Sequence, residues 1–320
     1  MVVGRYAMSM DPDAYSRQRS IGLKLFPLLL GAAAIGFMMI KGCQEGPFGR
    51  HQVVAMNEQQ EMALGAQAFQ QVLHEAQAGV LPSTAPISQT VQKLAGQLIE
   101  ASKNKDLLEH TKFRPQHFQW ETRVIRSRQV NAFCLPGGKI VVYTGILPVA
   151  ETESALAAVM GHEIAHALAH HGAERMAQKQ MVEIGQMAAA GSMSDMDPRR
   201  RQELMAVLGV GAQFGMLLPY SRKHESEADH VGLLMMATAG HDPKKAIEFW
   251  KRMEQASKGG KQPAEFMSTH PSHETRIRDL ERWQDQARPF YEKAPAKHED
   301  RPLPQSSEGP KKPSLNPRGP

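Results

Sequence analysis

The sequence predicts an α+β domain that is mostly helical and contains one small β-sheet, preceded by a single N-terminal transmembrane helix. Apolar residues recur at helical spacing in residues 57–103 and again from Glu151 onward, whereas alternating and β-branched segments lie between residues 117 and 145. A long uncharged stretch lies near the N-terminus. With 320 residues, of which 41% are hydrophobic, the chain can bury a core, and this composition excludes a disordered protein.

The uncharged stretch, LFPLLLGAAAIGFMMI at residues 25–40, would span about 24 Å as a helix, slightly less than a hydrocarbon core of about 30 Å. The lysines on either side can extend this reach by snorkelling. Because basic residues precede the stretch, the positive-inside rule predicts a cytoplasmic segment (1–20), an anchor (21–41) and a periplasmic, extracytoplasmic remainder.

Other interpretations of this N-terminal segment remain open. They are a cleaved signal peptide, a lipoprotein signal that ends at Cys43, and a buried hydrophobic helix of a soluble protein. No A-x-A site follows the stretch, and Lys41 beside the cleavage point fits a lipoprotein signal poorly. We therefore expect an uncleaved, single-pass anchor.

Composition excludes several kinds of site and partner. The two cysteines, Cys43 and Cys134, provide neither a disulfide framework nor a Cys-based zinc finger. The formal net charge is +5, but the basic residues are scattered and no base-stacking aromatic motif accompanies them, so we expect no nucleic-acid partner. Any metal site must therefore use histidines and carboxylates.

The domain opens with two amphipathic helices, the first with Asn57 as its N-cap and the second beginning after Pro86. HFQWETRVI alternates apolar side chains and GKIVVYTG is β-branched, so both segments predict strands of one small sheet. Eight prolines among polar residues from Arg288 onward predict a disordered Pro-rich tail at 287–320. The folded domain is thus confined to residues 46–286.

The segment VMGHEIAHALAHHGAERM, Val159–Met176, carries four histidines and reads as one helix. His162 and His166 are four residues apart, so both imidazoles project from one face and can bind a common ion, whereas His171 points off that face. Glu163 is placed to hold and deprotonate a water on that ion. The alternative is a helix whose histidines are ordinary surface or core residues.

A zinc site of this kind needs a third protein ligand. His170 lies about 12 Å along the helix axis from His162, which is too far for both to bind one ion. Glu225 and Asp229 are four residues apart in a second predicted helix, so Glu225 can supply the third ligand while Asp229 accepts the free N–H of a ligating histidine. We predict that Glu227, between them, is solvated. The alternative is an acidic helix start that favours the macrodipole.

Four stretches, in order, resemble the HtpX, BepA and Oma-type family of membrane-associated gluzincin zinc metallopeptidases, relatives of the CAAX prenyl proteases. They are VNAFCLPGGKIVVYTGIL (130–147), HEIAHALAHHGAER (162–175), YSRKHESEADHVGL (220–233) and FMSTHPSHETRIRDL (266–280). The chain is most similar to the Oma-like group. It departs from the family pattern at Cys134, where alanine is usual, and in a long Met-rich insert.

The resemblance implies a zincin-type metallopeptidase domain with the small sheet beside the active-site helix. It implies one Zn2+ per subunit, bound by His162, His166 and Glu225. It further implies that Glu163 is the general base and that Asp229 lies in the second ligand sphere, as the spacing of these residues also suggests.

The resemblance also bears on two further regions. The sequence STHP places His270 near the zinc, where it could stabilise an oxyanion or fill the open zinc position and hold the enzyme latent. A structural histidine is the alternative. Asn131, Ala132 and the strand after Gly138 are similar to the substrate-binding edge strand of gluzincins, to which an extended peptide adds as another strand. Here the alternative is a plain sheet edge.

The Met-rich insert lies between the two motifs, which are 59 residues apart, from His166 to Glu225. Residues 172–220 contain seven methionines and the helix break GSMSDMDPRRR, which predicts a pair of amphipathic helices. This helix pair could gate the cleft or hold exposed hydrophobic segments of substrates, because methionine adapts to varied apolar surfaces. It could equally be a pair of core helices.

Together, residues and resemblance predict a membrane-anchored zinc endopeptidase that hydrolyses misfolded or unfolded membrane or envelope proteins in protein quality control. A metal-activated water would attack the peptide bond, with Glu163 as general base. The expected partners are protein or peptide substrates and the membrane. The alternative is a metal-stabilised, largely non-cleaving chaperone-like or assembly factor for envelope proteins.

Overall fold

Helices form most of the fold in the computed structural model, which describes residues 12–113, 118–212, 218–259, 266, 270 and 275–304. The helices are α1 (Pro12–Gly42), α2 (Glu58–Glu75), α3 (Pro86–Ala101), α4 (Lys105–Thr111), α5 (Leu147–Ala150), α6 (Glu153–Leu168), α7 (His171–Ser192), α8 (Pro198–Ala212), α9 (Leu218–Thr238), α10 (Lys244–Gly259) and α11 (Arg276–Lys293). The strands are β1 (Cys43–Glu45), β2 (His51–Val53), β3 (Glu121–Ile125), β4 (Ala132–Leu135) and β5 (Lys139–Tyr143). The predicted fold class is confirmed.

The chain forms two compact units. The first contains the described residues of Met1–Gln44, Gln52–Ala55 and Glu174–Tyr220. The second contains those of Glu45–His51, Met56–Ala173 and Ser221–Pro320. The pair His162 and His166 and the pair Glu225 and Asp229 both lie in the second unit.

In the first unit, α1 packs against α7 through small residues. A Cβ atom added at Gly31 would lie 2.6 Å from the Cβ of Ala188, and one added at Gly191 would lie 3.1 Å from Pro27. The stretch Leu25–Gly42 of α1 is long and apolar enough to cross a membrane, by length and composition. An N-terminal apolar helix therefore exists where the sequence predicts the anchor.

The second unit contains the predicted small sheet, a three-stranded sheet in the order β3-β5-β4. Strand β5 pairs in parallel with β3, with Glu121 opposite Lys139, and antiparallel with β4, with Ala132 opposite Val142. Strand β4 is therefore an edge strand among the described residues. Because α6 packs against β4, this edge lies beside the helix that carries the first motif.

Helix α6 lies at the centre of the core and is buried along almost its whole length. Leu156 and Ile164 are fully buried, and each contributes roughly 1.5–3 kcal/mol by leaving water. A Cβ atom added at Gly232 of α9 would lie 2.8 Å from the backbone nitrogen of His162. Glycine at this crossing allows the backbones of α6 and α9 to touch, which places the two motif helices side by side.

The predicted starts of the first two helices of the domain are confirmed. The side chain of Asn57 accepts a hydrogen bond from the Gln60 backbone at 2.9 Å, and the Gln60 side chain accepts one from the Asn57 backbone at 3.0 Å. This reciprocal capping box satisfies two backbone donors at the start of α2. Helix α3 begins at Pro86, where a missing N–H has no cost.

The predicted tail boundary at residue 287 differs from the structure. Helix α11 continues to Lys293, because Trp283 and Ala287 bury its apolar face in the core. Beyond it, Asp300 accepts a hydrogen bond from the Ser154 backbone in the first turn of α6 at 3.0 Å. Residues 294–304 are thus bound to the domain, and residues 305–320 of the predicted tail lie outside the described residues.

Candidate metal centre

Four side chains form a group that could hold a metal ion: His162 and His166 from α6, Glu225 from α9, and His270. The Nε2 atom of His162 lies 3.0 Å from Nε2 of His166, 3.3 Å from Oε2 of Glu225 and 3.2 Å from Nδ1 of His270. Four ligand atoms placed about 2 Å from a tetrahedral ion are about 3.3 Å apart. The residues present therefore fit a metal.

The charge states of Glu225 and His166 also suit metal binding. Burial would raise the pKa of Glu225, but the adjacent histidines outweigh it and hold that pKa far below its usual range, so the carboxylate is ionised. Burial lowers the pKa of His166 to about 3, against the opposing effect of Glu225, so this imidazole is neutral. An ionised carboxylate and a neutral imidazole are the forms that bind metals.

The other nitrogen of His162 faces a buried ion pair. Nδ1 of His162 lies 2.9 Å from Oδ1 of Asp229, which also accepts a hydrogen bond from Nη2 of Arg276 at 2.7 Å. Burial and Arg276 both lower the pKa of His162, but hydrogen bonds to Asp229 and Glu225 outweigh them and raise it to about 9. Asp229 thus lies where it can orient the His162 ring, and this role stays a prediction.

Glu163 lies beside the donor set and has an unused oxygen. Its side chain is buried, and Oε1 has no hydrogen-bond partner among the described residues. The same Oε1 atom lies 3.4 Å from Nε2 of His270. Burial raises the pKa of Glu163, although the neighbouring histidines oppose the shift. A buried carboxylate with a free oxygen and a raised pKa suits a general base.

The histidine-rich segment is not one helix, as predicted, but two. Helix α6 ends at Leu168, and His170 adopts a left-handed conformation with φ of 57° before α7 begins. Nδ1 of His170 lies 2.6 Å from a carboxylate oxygen of Glu61, so His170 lies outside the donor set, as expected from its distance along the chain.

Two predictions about residues near the donor set are wrong. His171 does not point away from the site, because its Nδ1 lies 2.8 Å from Nδ1 of His166. Glu227 is not solvated: it is 9% exposed and contacts both His171 and Arg50. Neither contact could be derived from helical spacing, since each joins different elements.

The proposed substrate strand is placed only in part as predicted. Ala132 is the first residue of the edge strand β4, which packs against α6, and Asn131 directly precedes it. Gly138 lies instead in the turn between β4 and β5, where its carbonyl oxygen accepts a hydrogen bond from the backbone of Glu121 at the other edge. The strand after Gly138 is β5, the central strand, which pairs on both sides, so the prediction that Gly138 and this strand belong to the substrate-binding edge is wrong.

Sequence reasoning missed Arg276 as a site residue. It is buried, its guanidinium lies 3.3 Å from the ring centroid of Trp250, and its Nη2 approaches Nδ1 of His162 to 3.1 Å. One signal in the sequence could have identified Arg276: it lies five residues after STHP, within a stretch that resembles the family. A buried arginine at such a distance from both motifs cannot be found from spacing.

Comparison with known proteins agrees with this geometry. A sequence model described as Peptidase family M48 matches residues 92–284. The chain is 37% identical over 246 residues to the mitochondrial metalloendopeptidase OMA1 of Schizosaccharomyces pombe, covering 77% of this chain and 67% of the relative.

More distant relatives match over shorter shares of their length. Identity to the human metalloendopeptidase OMA1, mitochondrial, is 29% over 269 residues, covering 81% of this chain and 50% of the relative. The beta-barrel assembly-enhancing protease of Escherichia coli is 29% identical over 170 residues, which cover 52% of this chain and 35% of that protein. The chain thus spans between about one third and two thirds of the length of these relatives.

Proposed function

The chain belongs to peptidase family M48 and is a metalloendopeptidase, and from this premise we propose that it uses zinc, held by His162, His166 and Glu225. The spacing of the donor atoms is the observation that carries this proposal. Two imidazoles and one carboxylate are a ligand set typical of catalytic zinc. The match to OMA1 and to the beta-barrel assembly-enhancing protease also confirms the resemblance to the Oma-type family.

The proposed reaction is hydrolysis of a peptide bond by water. When bound by His162, His166 and Glu225, zinc would supply Lewis acidity to polarise the scissile carbonyl and lower the pKa of a water molecule. Glu163 then takes the proton of the attacking water at its unpartnered Oε1 atom and passes it to the leaving amine. Asp229 and Arg276 keep the ring of His162 in one orientation throughout.

We propose that His270 is the fourth ligand of a closed, latent form. Its Nδ1 lies 3.0 Å from Oε2 of Glu225 and 3.2 Å from Nε2 of His162, which fits a ligand position. A catalytic zinc site needs one open position, so His270 would have to leave before substrate is cleaved. The oxyanion-stabilising role predicted from the sequence would then belong to the open form.

The same observation favours a second candidate function. If His270 closes the site permanently, the chain would be a metal-stabilised factor that holds or assembles envelope proteins and rarely cleaves them. The buried Glu163 supports the enzyme, because a carboxylate with an unused oxygen costs stability without serving a non-cleaving protein.

We further propose that substrates are unfolded or misfolded segments of membrane or envelope proteins, bound as an added strand on β4 beside Asn131 and Ala132. The open edge of β4 supports extended binding through main-chain groups, with loose sequence preference. The apolar stretch of α1 supports an anchored protein whose catalytic unit faces the periplasm.

Casein cleavage by the purified full-length protein tests the proposal, with bound zinc quantified in each sample. We expect Glu163→Gln to keep stoichiometric zinc and to lose at least about 100-fold in activity, because it removes the general base and leaves the ligands. Glu100→Gln, at an exposed position of α3, is the matched control and should behave as the wild type.

Three other outcomes have distinct meanings. Activity retained in Glu163→Gln would exclude the mechanism, and a wild type without metal would exclude the zinc site. Zinc without cleavage in the wild type would favour the closed form, and His270→Ala should then restore cleavage if the closure is reversible.

A further inference from the structure

His166 has an unusual partner for a metal ligand. A ligating imidazole binds the ion through one nitrogen, and the group that contacts the other nitrogen fixes the ring orientation and the tautomer. For His162 this group is the carboxylate of Asp229, 2.9 Å away. For His166 it is another imidazole, because its Nδ1 lies 2.8 Å from Nδ1 of His171.

His171 is itself held by charged groups. Its Nε2 atom lies 2.9 Å from Oε1 of Glu227, and Glu227 accepts hydrogen bonds from Nε and Nη2 of Arg50 at 2.7 and 3.3 Å. His224 stacks on the His171 ring, with centroids 4.3 Å apart. His171 is 2% exposed, so these contacts replace water around the ring.

The hydrogen bonds that link Arg50, Glu227, His171 and His166 can run in only one direction. The Glu227 carboxylate is paired with Arg50 and can only accept, so Nε2 of His171 must carry the hydrogen. Nδ1 of His171 then has a lone pair and accepts from Nδ1–H of His166. This leaves the lone pair of His166 on Nε2, the atom that faces His162 and Glu225.

We propose that His171 is a positioning residue for the metal, and that Glu227 and Arg50 fix its tautomer so that His166 presents Nε2 to the ion. The inference rests on the proposed metal site and extends it. It assigns to His171 and Glu227, neither of which is a proposed ligand, the task that Asp229 performs for His162.

Two substitutions at His171 separate positioning from packing. In His171→Asn the amide oxygen can take the place of Nδ1 as acceptor, whereas His171→Leu fills the space without an acceptor. The full-length protein would be purified metal-free, and zinc affinity measured by competition with a chelator. The absorption spectrum of the cobalt-loaded protein reports ligand geometry independently of activity.

We expect His171→Leu to weaken zinc binding about 10–100-fold and to alter the cobalt spectrum. His171→Asn should stay within a few-fold of the wild type and keep its spectrum. The control His74→Leu, at an exposed histidine of α2, should change neither. Affinity retained in His171→Leu, or lost equally in both variants, would overturn the inference, since packing alone would not favour asparagine.

Glu227→Gln provides a second test if His171→Leu fails to fold. The amide removes the charge that fixes the tautomer of His171, so zinc affinity should fall by a smaller but measurable factor of about 10. Unchanged affinity would contradict the proposal. A wild-type protein that binds no zinc would instead refute the metal site itself, so the two failures are distinguishable.

Discussion

Arg276 stabilises the metal-binding group without being one of its four members, because it contacts both Asp229 and His162. Arg276 is 4% exposed, and its guanidinium pairs with Asp229 and lies over Trp250. A buried carboxylate stays ionised only with such a partner, because desolvation of an unpaired charge costs several kcal/mol. Arg276 lowers the pKa of Asp229 against the effect of burial, so Asp229 stays ionised next to His162.

Replacement of Arg276 should therefore cost both stability and metal binding. In Arg276→Met the apolar contact with Trp250 is largely kept, but Asp229 loses its charge partner. We expect the free energy of unfolding to fall by about 3–5 kcal/mol, measured by urea unfolding with a chelator present. Arg282→Met, at a 69% exposed position of the same helix, should change it by less than about 0.5 kcal/mol. Equal effects would show that the ion pair is dispensable.

At the scale of elements, the crossing of α6 and α9 determines the distance between the two motifs. The backbones meet at Gly161 and Gly232, where a Cβ atom on Gly161 would lie 3.1 Å from the Gly232 carbonyl oxygen. Since His162 follows Gly161 directly, any separation of these helices moves a ligand relative to Glu225. The predicted helix pair of the insert is also present as α7 and α8, and its role stays a prediction.

Gly232→Ala should open this crossing. The new methyl group would meet backbone atoms of α6 at 2.8 Å, so α9 must shift, and we expect a loss of about 1–3 kcal/mol in unfolding free energy with weaker zinc binding. The control is Gly96→Ala in α3, where no atom lies within 4 Å of the added Cβ. There we expect stabilisation of about 0.5–1 kcal/mol from helix propensity. In thermal melting, Gly232→Ala should unfold at a lower temperature than the wild type and Gly96→Ala at a higher one.

At the scale of the catalytic unit, His241, between α9 and α10, links α6, α3 and the segment after α11. This fully buried ring lies 3.3 Å from Oγ of Ser154 in α6 and 3.1 Å from Oε1 of Gln97 in α3. Gln97 also contacts His298 of the C-terminal segment, 2.9 Å away. Burial first, and then His298 and Lys93, lower the pKa of His241 against the opposing effect of Asp300, so the arrangement holds a neutral His241.

His241 should therefore make stability depend on pH. Burial, followed by His298 and Lys93, lowers its pKa from 6.5 to about 4, so between these values the unfolded chain binds a proton that the folded chain excludes. The contribution, about 3 kcal/mol at most, is present above pH 6.5 and is lost as the pH falls towards 4.

The His241→Gln variant isolates this contribution from those of other buried histidines. Urea unfolding at pH 7 and pH 5, with a chelator present, should show that the variant loses about 2 kcal/mol less than the wild type. Identical losses in both proteins would mean that His241 does not titrate as its surroundings indicate.

The sequence alone determined the features that depend on local spacing. Four-residue separations put His162 with His166 and Glu225 with Asp229 on shared helix faces, and these pairs meet in the structure. Capping chemistry located the starts of α2 and α3, and β-branched segments located the sheet, because side-chain period and turn chemistry are short-range properties.

Only the tertiary structure decided which distant residues complete the site. Arg276, Glu227 and Arg50 reach it from separate elements, and the left-handed break at His170 turns His171 back towards His166. Buried charges must find partners wherever the packed chain brings them, so these contacts follow from the packing of helices rather than from any local pattern. The same packing binds residues 294–304, whose proline-rich composition predicts disorder, to the first turn of α6.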